Sequence, residues 1–336
     1  MDILLLGYFG QDNFGDEAIN RATMRFLLDE FGPGINIHLC NQANYTENIT
    51  GKFEECCDGI KNFHCHETWF DSISYKNYDM VAVCNSGFTY GFCLDVVMDA
   101  VDKGIPVRIY SMKQGKPNGI RGEVYDYILE KCEFAIFRIS KHYNSFNVNN
   151  GRIVDGMDLA YFNETLPIEN NGQYVLIAPR FYNDENSKLQ IDFINNIIAE
   201  NKEYEFRIFK SSKDDHRLAS QVNHSVNLNI LESSYTNVKH QIDLIKSASK
   251  IISLGRYHPL LFALKYNIPS VYINTGYYSK HYLMDKIKEI CSEYNIDSVD
   301  YNEFNNIENM NRNYNISLIE EKTKNTFNAV GVEIDY

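Results

Sequence analysis

Short uninterrupted apolar runs alternate along this chain with longer stretches in which apolar residues return at every third or fourth position. That is the pattern of buried parallel strands joined by amphipathic helices. In the first half, Asp2–Leu6, Ile35–Cys40, Tyr78–Cys84, Ile105–Tyr110 and Phe134–Ile139 read as strands. Helices are expected from Ala18 through Leu27, over Phe92–Asp102 and Arg121–Lys131, and briefly around His142–Phe146. Phe31-Gly32-Pro33-Gly34 stops the first of them. From Cys40 to about Asn77 the chain is polar with scattered aromatics, and reads as a connection with room for one short helix. Ile153–Phe162 closes the half, and the stretch 163–172, with Pro167, Asn170, Asn171 and Gly172, reads as a linker.

The alternation then restarts. Strands are expected at Tyr174–Ala178, Tyr204–Phe209, Val226–Leu231, Ile251–Leu254 and Ser270–Ile273, with helices over Leu189–Glu200, from Asp214-Asp215-His216, over Val238–Ser249 and after Arg256. The helix after Arg256 carries its apolar face on Leu260, Leu261, Leu264 and Tyr266 until Asn267-Ile268-Pro269 ends it. A further helix, reached through the loop Asn274–Ser279, ends near Tyr294, and an Asn-rich tail follows. These halves describe an α/β protein of two Rossmann-like domains facing a cleft, with boundaries at 1–165 and 172–295. The tail, 296–336, would place its last helix back on the first domain.

Composition narrows the function. The 336 residues include 32 basic and 45 acidic side chains, a formal charge of −13 that argues against a nucleic-acid surface. An anionic substrate would therefore need a locally positive pocket, so each Arg at a strand end matters. Without an apolar run of membrane-spanning length or a signal sequence, a cytoplasmic protein with no integral membrane segment is expected. The eight cysteines read as reduced thiols. Cys56, Cys57, His64, Cys65 and His66 are dense but lack paired Cys-x-x-Cys spacing, so no metal is expected.

The candidate chemistry sits at strand ends. Gly7-Tyr8-Phe9-Gly10-Gln11-Asp12-Asn13-Phe14-Gly15-Asp16-Glu17 follows the first strand. Its glycine spacing is neither a dinucleotide fingerprint nor a phosphate-binding P-loop. Asp16 can cap the next helix, and Asn13 with the loop amides can face a substrate or simply form a structural turn. Arg138 ends a strand of the first half and Arg180 one of the second. Arg256 and His258 follow Gly255 in a tight strand-to-helix turn, which aims them at the carboxyl end of the sheet. Taken alone, Arg256 could equally be a surface cation and His258 a helix-terminus residue.

The ordered set GYFGQDNFGDEAI, APR, SLGRYHPLLFA and a Lys after the next strand resembles the polysaccharide pyruvyltransferase family, with support from AVCNSG, FRIS and VDGMDLAYF. The resemblance spans roughly residues 3 to 285. It implies an architecture like the GT-B glycosyltransferases and transfer of a pyruvyl group from phosphoenolpyruvate to two hydroxyls of a sugar, forming a ketal. No cofactor is implied beyond this donor; the partner is a sugar or lipid-linked glycan acceptor, the latter bringing the enzyme to the inner membrane surface. On this resemblance His258 and Arg256 are the catalytic candidates, His258 as general acid, while Arg180 and Lys280 join Arg256 in holding the donor's anions and stabilising phosphate as it leaves. Arg138, Asn13, Asp16 and Glu17 join the substrate-binding candidates, with one carboxylate as a base. Asn85-Ser86-Gly87 departs from the family's glycine run, which leaves the acceptor open. Two other readings stay open: a nucleotide-sugar-dependent GT-B glycosyltransferase and a catalytically silent glycan-binding homologue.

Overall fold

The computed structural model describes residues 1–9, 13–41, 63–66, 77–84, 91–148, 150–163, 172, 174–223, 228–230, 238–275, 282–304 and 306–331, with only the backbone at 41, 63–66, 91–93, 228–230 and 282–286. The chain forms two compact units. Unit 1 comprises Met1–Gln11, Asp16–Asn163 and Ser317–Tyr336; unit 2 comprises Asp12–Gly15 and Glu164–Ile316.

Unit 1 is built on β1 (Asp2–Gly7), β2 (Asn36–Asn41), β3 (Phe63–His66), β4 (Met80–Val83), β5 (Val107–Met112), β6 (Phe134–Phe137) and β7 (Ile153–Asp155). Its helices are α1 (Phe14–Phe31), α2 (Gly91–Asp102), α3 (Ile120–Lys131) and α4 (Ser140–Tyr143), followed by a 3-10 turn at Leu159–Phe162. The strands are parallel in the order β3-β2-β1-β4-β5-β6-β7. Connections leave β1 toward opposite edges, so the carboxyl ends of β1 and β4 form a topological switch point, where such sheets bind ligands.

Unit 2 repeats the plan with β8 (Tyr174–Pro179), β9 (Phe206–Ile208), β10 (Leu228–Ile230), β11 (Ala248–Leu254), β12 (Ser270–Asn274) and β13 (Asp297–Asp300) in the order β10-β9-β8-β11-β12-β13, again all parallel. Its helices are α5 (Asp184–Glu200), α6 (Asp215–Ala219), α7 (Val238–Lys246), α8 (Tyr257–Tyr266) and α9 (Tyr282–Tyr294). The switch point here lies between β8 and β11, whose register pairs Leu254 with Pro179. Every residue of β8 is buried, as expected for a central strand covered on both faces. On one of those faces Phe193, Ile194, Ile197 and Ile198 of α5 join Val175, Ile177, Phe206 and Ile208 in a single apolar cluster. Each such side chain contributes about 1.5–3 kcal/mol of burial free energy. Helix α8 is buried on nearly every side and ends at Asn267, in the left-handed conformation with φ 52°, while the Ile268 amide donates to the Ala263 carbonyl at 2.9 Å. That is a Schellman closure, and it returns the chain directly into β12.

The tail divides between the units. β13 pairs with β12, and Ile307 and Met310 enter the apolar cluster of unit 2. From Ser317 the chain belongs to unit 1, where α10 (Ile316–Val330) sets Thr326 against Gly156. Thr326 Oγ1 accepts from the Met157 amide at 2.8 Å, and a Cβ on Gly156 would fall 2.6 Å from that oxygen. Lys322, 1% exposed, pairs with Asp155 Oδ1 at 2.8 Å. No helix among the described residues is long and apolar enough to cross a membrane.

Four of the eight cysteines, Cys40, Cys84, Cys132 and Cys291, are described as buried free thiols. Burial pushes the thiols of Cys40, Cys132 and Cys291 up to about 12. Such thiols pack as small hydrophobes and are unreactive.

Candidate functional site

Gly255 ends β11 with φ +110°, a conformation that L side chains rarely adopt, and a Cβ there would meet the Tyr182 hydroxyl at 3.0 Å. The glycine thus permits a sharp turn beside the end of β8, where Pro179 and Gly255 form an antiparallel bridge. Ser253 Oγ then accepts from the Arg256 amide at 3.0 Å and donates to the Arg256 carbonyl. Both backbone groups of Arg256 are thereby fixed.

The Arg256 side chain is 10% exposed and turns inward. Its Nη2 donates to Ser212 Oγ at 2.7 Å and to Asp215 Oδ1. Asp215 is fully enclosed and also accepts from three backbone amides: Phe181 at 3.0 Å, Ser211 at 3.0 Å and Ser212 at 3.1 Å. One carboxylate therefore joins the loops that leave β8, β9 and β11.

Arg180 leaves β8 at the same edge. Its backbone is clamped by the Gln190 side chain, which accepts from the Arg180 amide at 3.1 Å and donates to its carbonyl at 2.8 Å. Gln190 is held by Asn186, and Asn186 donates to Thr275 Oγ1 at 3.1 Å, a buried polar chain that also fixes the exit of β12. The Arg180 guanidinium lies over the Tyr182 ring at 4.5 Å and donates to the Gly255 carbonyl at 3.4 Å. Burial raises the Tyr182 phenol above its ordinary value, while the positive fields of Arg180 and Arg256 pull it back. Two arginines thus bear on one tyrosine.

The segment Asn13–Gly15 completes this side of unit 2. Asn13 forms an antiparallel bridge with Ser212, and the Phe14 amide donates to the Ser211 carbonyl at 2.9 Å. The Phe14 ring packs on Phe209 and Phe262 with centroids 5.4 and 5.5 Å away. So anchored, Gly15 passes directly against His258: a Cβ built on it would fall 1.8 Å from Nδ1. His258 is half-buried in the first turn of α8, beside the Tyr257 ring.

Asn13, Arg180, Arg256 and His258 are thus gathered in unit 2, whereas the remaining candidates are placed differently. Asp16 and Glu17 belong to unit 1. Asp16 is not the cap of α1, which starts two residues earlier; Asn13 Oδ1 accepts from the Gly15 amide at 3.2 Å and fills that role. Glu17, 1% exposed, accepts from Asn20 Nδ2 at 3.3 Å. Asn20 also donates to the Tyr8 carbonyl and accepts from Cys84 Sγ at 3.1 Å, at the ends of β1 and β4. Arg138, 2% exposed, is enclosed in unit 1, where its guanidinium pairs with the buried Asp158. One of its nitrogens is thus committed to a carboxylate of the same unit. Lys280 and Asn85-Ser86-Gly87 lie outside the described residues, as do Cys56 and Cys57.

Sequence reading passed over Asp215 and Ser212. Asp215 looked like one of two acidic residues opening a helix, a common pattern, and only the pairing of β8 with both β9 and β11 reveals that it faces an arginine.

A model of the polysaccharide pyruvyl transferase family matches residues 13–277 of this chain. The chain belongs to that family. The match begins at the residue bridged to Ser212 and spans Arg180, Arg256 and His258. Among solved structures, similarity extends across both units at low identity, and it establishes the fold. UDP-GlcNAc 2-epimerase from Neisseria meningitidis aligns with TM-score 0.57 and 13% identity, over 96% of this chain and 90% of that one. The Methanocaldococcus jannaschii UDP-GlcNAc 2-epimerase gives 0.57 and 15%, over 98% and 99%. The calicheamicin glycosyltransferase CalG4 gives 0.56 and 8%, over 98% and 94%. The chain thus has the two-domain α/β fold of GT-B glycosyltransferases. No curated protein matches its sequence.

Proposed function

We propose that this member of the polysaccharide pyruvyl transferase family moves a pyruvyl group from phosphoenolpyruvate to two hydroxyls of a sugar. The observation that supports this most is that Arg180, Arg256 and His258 all stand at the exits of β8 and β11, the switch point of unit 2. The donor carries a carboxylate and a phosphate, and guanidinium groups bind both through paired N–H donors. Attack of an acceptor hydroxyl on C2 forms the new C–O bond while C3 takes a proton, which we assign to His258. The C2–O bond to phosphate then breaks, and the second hydroxyl closes the ketal. Arg180, Arg256 and Lys280 stabilise the departing phosphate.

Of the two carboxylates in the first turn of α1, half-buried Asp16 is assigned as the base for an acceptor hydroxyl, because Glu17 is enclosed and bonded to Asn20. No metal is invoked: cationic side chains neutralise the donor. The reaction is assigned to the cytoplasm, at the inner membrane surface when the acceptor is lipid-linked.

Phosphate release from phosphoenolpyruvate should depend on an acceptor sugar drawn from a panel of glycosides and lipid-linked glycans, and should be unaffected by a chelator. Thermal stabilisation by a nucleotide sugar and not by phosphoenolpyruvate, with no release, would transfer the case to a nucleotide-sugar glycosyltransferase.

Gly15 supplies a second test. Its alanine variant puts a methyl group where the imidazole now lies, so His258 must rotate or Gly15–Phe14 must lift. Displacement of a proton donor by an ångström costs about 10²-fold in turnover. Gly15→Ala should therefore lower kcat by about 10²-fold, and an unchanged kcat would show that the ring's position is immaterial.

A further inference from the structure

We propose that Asp215, together with Ser212, is the positioning residue that sets Arg256 for the anionic donor; the donor's identity rests on the pyruvyl-transfer reading above. A guanidinium has five N–H donors in one plane. Arg256 uses those of Nη2 on Ser212 Oγ and Asp215 Oδ1, while its buried Nε makes no hydrogen bond among the described residues. Held by Nη2, the group keeps Nη1 for a ligand, while the enclosed Nε faces the protein. An arginine with a long, flexible stem is otherwise free to sample many rotamers, and fixing it before binding removes an ordering cost that the donor would have to meet.

Asp215 suits this role for a second reason. It is fully enclosed, and its two oxygens are shared among Arg256 and the amides of Phe181, Ser211 and Ser212. The carboxylate is therefore itself held by the backbone, so that Arg256 is referenced to the exits of β8 and β9. A buried ion pair adds little to stability compared with an apolar replacement, which points to orientation as its use here. Ser212 is fixed in turn, since its residue bridges Asn13 on the segment that carries Gly15 to His258. Arg256 and His258 are thus set by one continuous set of contacts.

The test is a mutant cycle read by donor KM, kcat and the donor concentration needed for half-maximal thermal stabilisation. Ser212→Ala keeps every backbone contact to Asp215, and should raise donor KM about 5- to 10-fold. Asp215→Asn should raise donor KM by about 10- to 100-fold. In an Arg256→Ala background, Ser212→Ala should add nothing further, because it acts only through Arg256. An unchanged donor KM in Ser212→Ala, or a full additive effect in the Arg256→Ala background, overturns the positioning role. A wild-type protein that neither releases phosphate from phosphoenolpyruvate nor is stabilised by it overturns the underlying reading instead. Wild-type turnover with both single variants unaffected overturns the positioning role alone.

Discussion

His258→Ala is expected to lower kcat for phosphate release by about 10²- to 10⁴-fold, with donor affinity within a few-fold of wild type. The two effects separate because different groups carry them. The donor's anions are assigned to Arg180 and Arg256, whose backbones are held by Gln190 and Ser253 and remain in place when the imidazole is removed. Protonation of C3, by contrast, falls to one side chain, and water must replace it. Steady-state kinetics gives kcat, and thermal shift against phosphoenolpyruvate gives affinity. A variant with wild-type turnover would remove His258 from the chemistry. One with lost affinity and unchanged kcat would make it a binding group. His258→Gln is the sharper companion, because an amide preserves bulk against Gly15 but cannot supply a proton at neutral pH.

How far these roles could be read from sequence depends on which physical signal each element carries. β8 and the Ile251–Leu254 part of β11 are buried on both faces, so their apolar runs stand out in the sequence and point to their exit residues Arg180 and Arg256. β13 carries no such signal, because an edge strand reading Asp-Ser-Val-Asp is almost wholly exposed and has no apolar pattern. β3, four residues long and at an edge of the other sheet, sits inside a polar stretch and is equally silent in the sequence. Helix α5 was expected from Leu189, but Asn183 caps it and it starts at Asp184, since its first turn is polar and offers no apolar periodicity. The start of α1 lies earlier than its apolar pattern indicates for a related reason: Asn13 caps it through its side chain, and Gly15 in the first turn is a residue typical of loops.

The candidate site follows the same division. Local pattern exposes a residue's place on a strand end, whereas its partners depend on strand order. Arg256 and His258 were legible as turn residues, but Asp215 is 41 positions from Arg256 and meets it only because β9 and β11 flank β8. Gly15 is further removed still, and its closeness to His258 has no local signal beyond the glycine itself. Arg138 shows the converse: it occupies a strand end as Arg180 does, yet it meets a buried aspartate and is enclosed.

That enclosure has a measurable consequence. Asp158→Ala is expected to destabilise the protein by about 3–5 kcal/mol, the cost of leaving a buried guanidinium without its counter-charge. The Asp158 side chain is fully buried and that of Arg138 is 3% exposed, so solvent cannot compensate. Asp158 Oδ1 also accepts from the Ala160 amide at 3.0 Å, capping the 3-10 turn, and a lost cap adds about 1 kcal/mol. Denaturant unfolding of the single variant should show the loss directly. Replacing the pair together, Arg138→Met with Asp158→Leu, should recover most of it, because two apolar side chains of similar size need no charge compensation. The double variant also decides what Arg138 does. If its charge serves only Asp158, donor KM and kcat in the refolded double variant should equal those of wild type. A tenfold or greater rise in donor KM, with stability restored, would instead return Arg138 to the substrate-binding residues, as its place at the end of β6 first suggested.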